Sequence, residues 1–256
     1  MLTEGTTLLL SCLAAREAAQ LQVTDFSKFG TLASAAWLTP TLWRNASWLG
    51  PVQTSFQTTE RELWLTIDDG PTPTQTPYIL DVLAQHGVTA SFFVIGQHLR
   101  AQPDIARRII AENHTLENHT ETHPSASFWA ALPRTIRREI ANTSKIIHDL
   151  SGQWPTRFRA PVGMANPFVH RTVQELQLTL TGWNASGHDG LPHHPDRVLS
   201  RIQSQLQPGG IILLHDSQLT GMSPGSRAKT LDRLLQHAHA EGYRFIIPEA
   251  SGSFTR

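Results

Sequence analysis

Two carboxylates stand side by side in Leu65-Thr66-Ile67-Asp68-Asp69-Gly70-Pro71, directly after a run of aliphatic, aromatic and β-branched residues. Adjacent carboxylates repel one another and resist leaving water, so a buried pair needs a cation or a set of donors. Asp-Gly is also a common turn dipeptide, and on this stretch alone a solvated turn accounts for the pair equally well. A second stretch, Asn118-His119-Thr120-Glu121-Thr122-His123-Pro124, sets two imidazoles four residues apart. On a helical turn that spacing brings both rings to one face, within reach of one ion, although two surface histidines have the same spacing. With Asp69 as the third ligand, two histidines and a carboxylate suit Zn²⁺ or a similar divalent ion and leave a position open for water. The cation also explains how the carboxylates coexist. One binds it, and the other stays ionised nearby as a base.

Two more polar groups follow apolar runs. Arg159, in Arg157-Phe158-Arg159-Ala160-Pro161-Val162-Gly163, precedes a Pro-x-Gly turn that can present backbone N–H groups. A structural salt bridge is the commoner use of such an arginine. His215 ends Ile211-Ile212-Leu213-Leu214-His215, a place shared by core histidines and acid–base groups. No one of these signals decides the matter; what ties them together is their position in the chain.

That position is set by an alternation of elements. Strand-like runs at 63–67, 88–96, 115–118, 157–161, 178–183, 211–215 and 243–248 are separated by helical periodicity at 78–86, around Ile105, Ile109 and Ile110, at 133–150, 167–177, 195–206 and 227–241. Such alternation predicts an α/β fold with parallel strands and helical crossovers, here a distorted or incomplete (β/α) barrel of about seven strands. In such folds chemistry gathers at the C-terminal ends of strands, and Asp68-Asp69, His119, Arg159 and His215 all fall there.

Residues 1–60 differ. They hold Trp37, Trp43 and Trp48, few charges and no strand–helix rhythm, and read as a helical or irregular extension packed on a main domain at 61–250. The apolar run Leu8–Ala15 is too short to span a bilayer and lacks the positive flank of a signal peptide, which favours a plain amphipathic helix and leaves export open. Lys plus Arg and Asp plus Glu are both 21, a balance that argues against nucleic-acid binding and against a polybasic membrane surface. The lone Cys12 excludes a disulfide framework or a multi-thiolate zinc site.

Taken together, residues 60 to about 248 resemble the polysaccharide deacetylase family (carbohydrate esterase family 4, the NodB homology domain). Thr66-Ile67-Asp68-Asp69-Gly70 resembles its first motif with Ile67 in place of Phe, and His119-Thr120-Glu121-Thr122-His123 matches the second. Arg159-Ala160-Pro161 matches the third and Leu213-Leu214-His215 the fifth. The resemblance implies that Asp68 is the base, Asp69, His119 and His123 hold one divalent ion (zinc, with cobalt, nickel or manganese as alternatives), Arg159 orients the base, and His215 is the acid. It also implies a backbone oxyanion donor at Val162 and an N-acetylated saccharide as substrate, with the cell envelope as the family's usual location. Val162 and Gly190 stand where the family has aromatic residues, and Ser186 where it has an aspartate; only Asp189 remains of the fourth motif's acids. Trp129 is the expected replacement for a sugar-binding wall, with burial in the core as the competing reading; Asp189 is grouped with it, with support of Arg159 or His215 as its other role. The activity implied is deacetylation of an amino sugar. Alternatives are a deformylase or O-deacetylase of the same architecture, and a carbohydrate-binding relative without catalysis.

Overall fold

The computed structural model of the chain describes residues 41–190, 194–217 and 222–249. The expected helix over the apolar run Leu8–Ala15, and Trp37, lie outside the described residues.

β1 (Glu62–Asp68) is buried from Leu63 onward, as an apolar run covered on both faces should be. β7 (Gly210–His215) pairs with it along one edge, from Leu63 opposite Gly210 to Asp68 opposite His215. Its other edge takes β8 (Arg244–Phe245) at Glu62 and Leu63 and β2 (Ser91–Val94) at Thr66 to Asp68. β3 (Thr115–Asn118), β4 (Arg157–Phe158) and β5 (Thr179–Leu180) continue outward from β2, and β6 (Ala185–Ser186) flanks β7. Every pairing is parallel, in the order β5-β4-β3-β2-β1-β7-β6. This is the expected incomplete barrel. Between β5 and β7 the sheet is bridged by an earlier stretch of chain. Gln53 bonds Leu180 and Gly182, and Phe56 donates its N–H to Gly209.

The crossovers are α1 (Thr76–His86), α2 (Gly96–Ala101), α3 (Pro103–Ala111), α4 (Pro133–Ser151), α5 (Pro167–Glu175), α6 (Pro195–Gln203) and α7 (Ser226–Ala240). Proline stands in the first turn of α1, α3, α4, α5 and α6, where its missing N–H costs no intrahelical bond. Gly87 and Gly152 end α1 and α4 in the left-handed conformation that glycine adopts without a Cβ penalty. Among the described residues no helix is long and apolar enough to cross a membrane.

The period-two alternation of the strands sorts their side chains. Leu63, Leu65, Ile67, Phe92, Val94, Leu116, Ile212 and Leu214 face outward into the core shared with α1, α3, α6 and α7. Trp64, Thr66, Asp68, Ser91, Phe93, Glu117, His119, Ile211 and His215 have the opposite parity and share the concave side. That side is unusually polar: Trp64 Nε1 donates to Ser91 Oγ, and Arg157 pairs with Glu117 and lies over the Trp64 ring. Parity therefore delivers the catalytic candidates to one surface.

Several expected elements are shorter or divided: the strands expected at 157–161 and 243–248 are only Arg157–Phe158 and Arg244–Phe245. The strand expected over 88–96 is Ser91–Val94 alone, because Gly96 already begins α2, which the sequence pattern missed. The helix around Ile105–Ile110 is separate from α2, broken at Gln102 where Pro103 starts a new first turn. The strand expected at 178–183 is only Thr179–Leu180. The chain then forms β6, and just before it the Asn184 side chain accepts a bond from the N–H of Ile211 in β7.

Candidate active site

Asp69 leaves the end of β1 with φ 74°, a left-handed conformation uncommon outside glycine. Its Oδ1 is 3.5 Å from Nε2 of His119 and 3.5 Å from Nε2 of His123. That oxygen is buried and has no hydrogen-bond partner among the described residues. A buried carboxylate oxygen facing two imidazole nitrogens and lacking a donor fits a cation, and ligand atoms of the three residues all lie within 4.8 Å of one another. Burial pushes both imidazoles down to about 4, so each is neutral at pH 7, the form that ligates.

The histidines are held from behind. His119 follows β3, and its Nδ1 lies 2.8 Å from the carbonyl oxygen of Arg159, which fixes Nδ1 as the protonated nitrogen and turns Nε2 inward. Thr120 and His123 both have left-handed backbones, with φ of 70° and 50°. The spacing thus works through a strained loop, whereas the sequence reading invoked a helical turn. Glu139 of α4 keeps that loop in place: its buried carboxylate accepts bonds from the N–H groups of Glu121 and Thr122 and from the Thr122 hydroxyl. Glu121 itself bonds Arg100 and Thr143.

Asp68 is 2% exposed and points into the concave side. Arg159 donates from one terminal nitrogen to Asp68 Oδ1 at 2.6 Å and to Thr66 Oγ1 at 2.8 Å, and from the other to the carbonyl of Gly182 at 2.9 Å. Its guanidinium lies over the Phe93 ring. Burial pushes Asp68 up to about 6, against the pull of Arg159 and His215. Its second oxygen, Oδ2, is 3.6 Å from His119 Nε2.

His215 sits across β1 from Arg159, opposite Asp68 in register. Asp189 accepts from both the ring Nδ1 and the backbone N–H of His215, each at 2.8 Å, and is itself paired with Arg227. Burial on its own would depress the imidazolium; the charge and hydrogen bond of Asp189, with the charges of Asp69 and Asp68 added, outweigh it together and hold His215 up to about 9. Of the two uses the sequence offers for Asp189, sugar binding and support of Arg159 or His215, the bonds are those of the second, to His215. Asp189 is buried, and its carboxylate is taken up by His215 and Arg227.

Val162 lies in the Pro161–Gly163 turn at φ 52°, rare for a β-branched residue. Trp129 is half-buried, with its ring N–H on the carbonyl of Ala126, while the adjacent Phe128 is wholly in the core against Phe158. Besides Glu139, sequence reasoning passed over Asp216, which accepts from Thr72 and Thr76 and ties the turn after Asp69 to the end of β7. The signal for Glu139 was available: it is a carboxylate between Ile136 and Ile140 on the apolar stripe of α4, where a charge needs a buried partner.

The family model for polysaccharide deacetylase matches residues 56–181. A chitooligosaccharide deacetylase of Bradyrhizobium sp. (strain ANU 289) is 36% identical over 189 residues, 73% of this chain and 84% of that protein. Among solved structures, a peptidoglycan N-acetylglucosamine deacetylase superposes with a TM-score of 0.71 at 29% identity, covering 76% of this chain and 89% of that one. A family 4 acetyl xylan esterase from Clostridium thermocellum, in complex with a cobalt ion, gives 0.65 at 29% identity over 72% and 87%. With relatives this similar over most of both chains, the protein belongs to the polysaccharide deacetylase family.

Proposed function

We propose that the chain is a metal-dependent deacetylase that hydrolyses the N-acetyl group of an amino sugar in an oligo- or polysaccharide, with zinc as the resident ion. The observation that carries the reading is the buried, partnerless Asp69 Oδ1 midway between two neutral imidazoles. A divalent ion held by Asp69, His119 and His123 supplies a Lewis acid that polarises the amide carbonyl and makes water nucleophilic near neutral pH.

The remaining chemistry falls to the protein. Arg159 occupies Asp68 Oδ1, which leaves Oδ2 as the oxygen that accepts a proton from the attacking water. The negative charge that develops on the carbonyl oxygen is met by the N–H of Val162, fixed by its turn. His215, kept protonated by Asp189, gives its proton to the nitrogen as the C–N bond breaks. The products are acetate and a free amine. Joint retention of Asp68 and His215 speaks against a relative that only binds sugar, since binding alone needs neither.

An ester is the second reading, favoured by the likeness to a protein named acetyl xylan esterase. Acetate and free amine are measured on N-acetylglucosamine oligomers, and acetate on acetylated xylan, each with and without chelator. The proposal expects amine and acetate in equal amounts, abolished by chelator and restored by zinc. Acetate from xylan alone would establish the ester reading, and chelator-resistant turnover would remove the metal from the mechanism.

A further inference from the structure

Two of the most exposed large apolar side chains in the described residues, Trp43 (69% exposed) and Trp48 (76%), lie in one short arm, residues 41–50. The arm precedes the 56–181 family match. Asn45 fastens it to the wall of the catalytic centre: its N–H donates to the carbonyl of Gly163 and its Nδ2 to that of Trp183, both at 2.9 Å. The fit is close, because a Cβ on Gly182 would fall 2.5 Å from Asn45 Oδ1. Gly163 directly follows Val162, and the carbonyl of Gly182 holds Arg159, the partner of Asp68. Asn45 is therefore connected to the base through one peptide and one guanidinium, and Trp43 and Trp48 flank it in the chain.

The two indoles are left in water on an arm whose central residue is bonded to the catalytic wall, and exposed aromatic surface rimmed by polar groups is what binding sites use. A pyranose has C–H bonds on its faces and hydroxyls at its rim, so it packs on an indole while its edge stays hydrated, the division of apolar body and wet edge that suits aromatic side chains at interfaces. We propose that the arm is a further sugar subsite, in which Trp43 and Trp48 hold the units of the chain next to the one being deacetylated. The inference rests on the saccharide reading above. The arm supplies aromatic surface to a site with Val162 and Gly190 where family members have aromatic residues.

The test compares the parent protein, Trp43→Ala/Trp48→Ala, and Trp154→Ala, whose exposed indole lies before β4 at the opposite end of the strands. Circular dichroism checks that each is folded. Expected for the double variant is a kcat/KM on N-acetylglucosamine pentamer lowered about tenfold or more, mainly through KM, with a smaller loss on the dimer. Trp154→Ala should match the parent at both lengths. Calorimetric binding of the pentamer is measured alongside. If the parent binds pentamer more tightly than the double variant yet releases no acetate, the subsite stands and the deacetylase reading fails. Equal pentamer affinity in parent and double variant overturns the subsite, and so does an equal loss on dimer and pentamer. A parent dimer that the double variant dissociates, with sugar affinity unchanged, would assign the indoles to a self-interface and also overturn it.

Discussion

Asp68 and Asp69 are identical in chemistry and adjacent in sequence, and both reach His119, yet only Asp68 is bonded by Arg159 and only Asp69 also faces His123. Asp68 continues the strand into the concave side and meets Arg159; Asp69 turns through a left-handed residue and meets two imidazoles. Asp68→Asn keeps the size but cannot accept a proton, so metal should remain bound while kcat falls about 10²- to 10⁴-fold. Asp69→Asn should instead lower metal affinity, with added zinc restoring part of the rate. Metal content beside turnover decides, and loss of metal from Asp68→Asn with retention in Asp69→Asn would exchange the two roles. The acid permits a pH test. His215 is held up to about 9 because Asp189, helped by Asp69 and Asp68, opposes the depressing effect of burial. In Asp189→Asn burial acts with that charge removed, the imidazole gives up its proton at lower pH, and the alkaline limb of kcat should move toward neutrality. An alkaline limb unchanged from the parent would show that His215 is not the group titrating there.

At the scale of elements, the sequence revealed most where a residue type has one dominant use. The apolar run before Asp68, the proline and glycine punctuation of α4 and the apolar strand before His215 were all legible, and with them the strand-end location of the site. Short elements were not, since β6 has two residues and is specified by a partner in β7 rather than by its own composition. Glu139 was obscure, and the partner of Asp189 stayed open, for a related reason: their uses depend on which distant groups they meet. Asp189 is 26 residues from His215, and Glu139 is 18 from Glu121. Glu139 shows how an element can set a ligand without touching it, through bonds to the loop between the two histidines. Glu139→Ala leaves the buried N–H of Glu121 and the part-buried N–H of Thr122 without their acceptor and should weaken metal binding by about 10- to 100-fold, as loss of an outer-shell anchor does. Glu139→Gln, which can still accept from those groups, should recover part of it. Competition titration against a chelator measures both, and parent-like affinity in the alanine variant would reduce Glu139 to packing.

Across the whole molecule, the concave side runs from a structural polar layer to a catalytic one. At the lower level Glu117 of β3 accepts from the N–H groups of Thr156 and Arg157 and from the Arg157 guanidinium, which also reaches the carbonyl of Pro248. The pair is 3% exposed at each residue and joins β3, β4 and the chain after β8. Burial pushes the Glu117 carboxyl up while Arg157 pulls it down, so its charge in the fold depends on that partner. Glu117→Gln leaves the guanidinium buried without its counter-ion, which costs about 3–5 kcal/mol. For a domain of this size that lowers Tm by on the order of 10 °C. Glu117→Gln/Arg157→Met removes both charges and should regain much of the loss, because an ion pair replaced by apolar packing is often neutral. Glu117 lies two residues before His119 and bonds none of the proposed ligands, so the folded variants should bind zinc as the parent does. Thermal unfolding is compared at one fixed zinc concentration, since bound metal itself raises Tm. If Glu117→Gln melts with the parent, the lower layer contributes nothing to stability. If it instead keeps its Tm and loses zinc, the two layers are one unit and Glu117 belongs to the site.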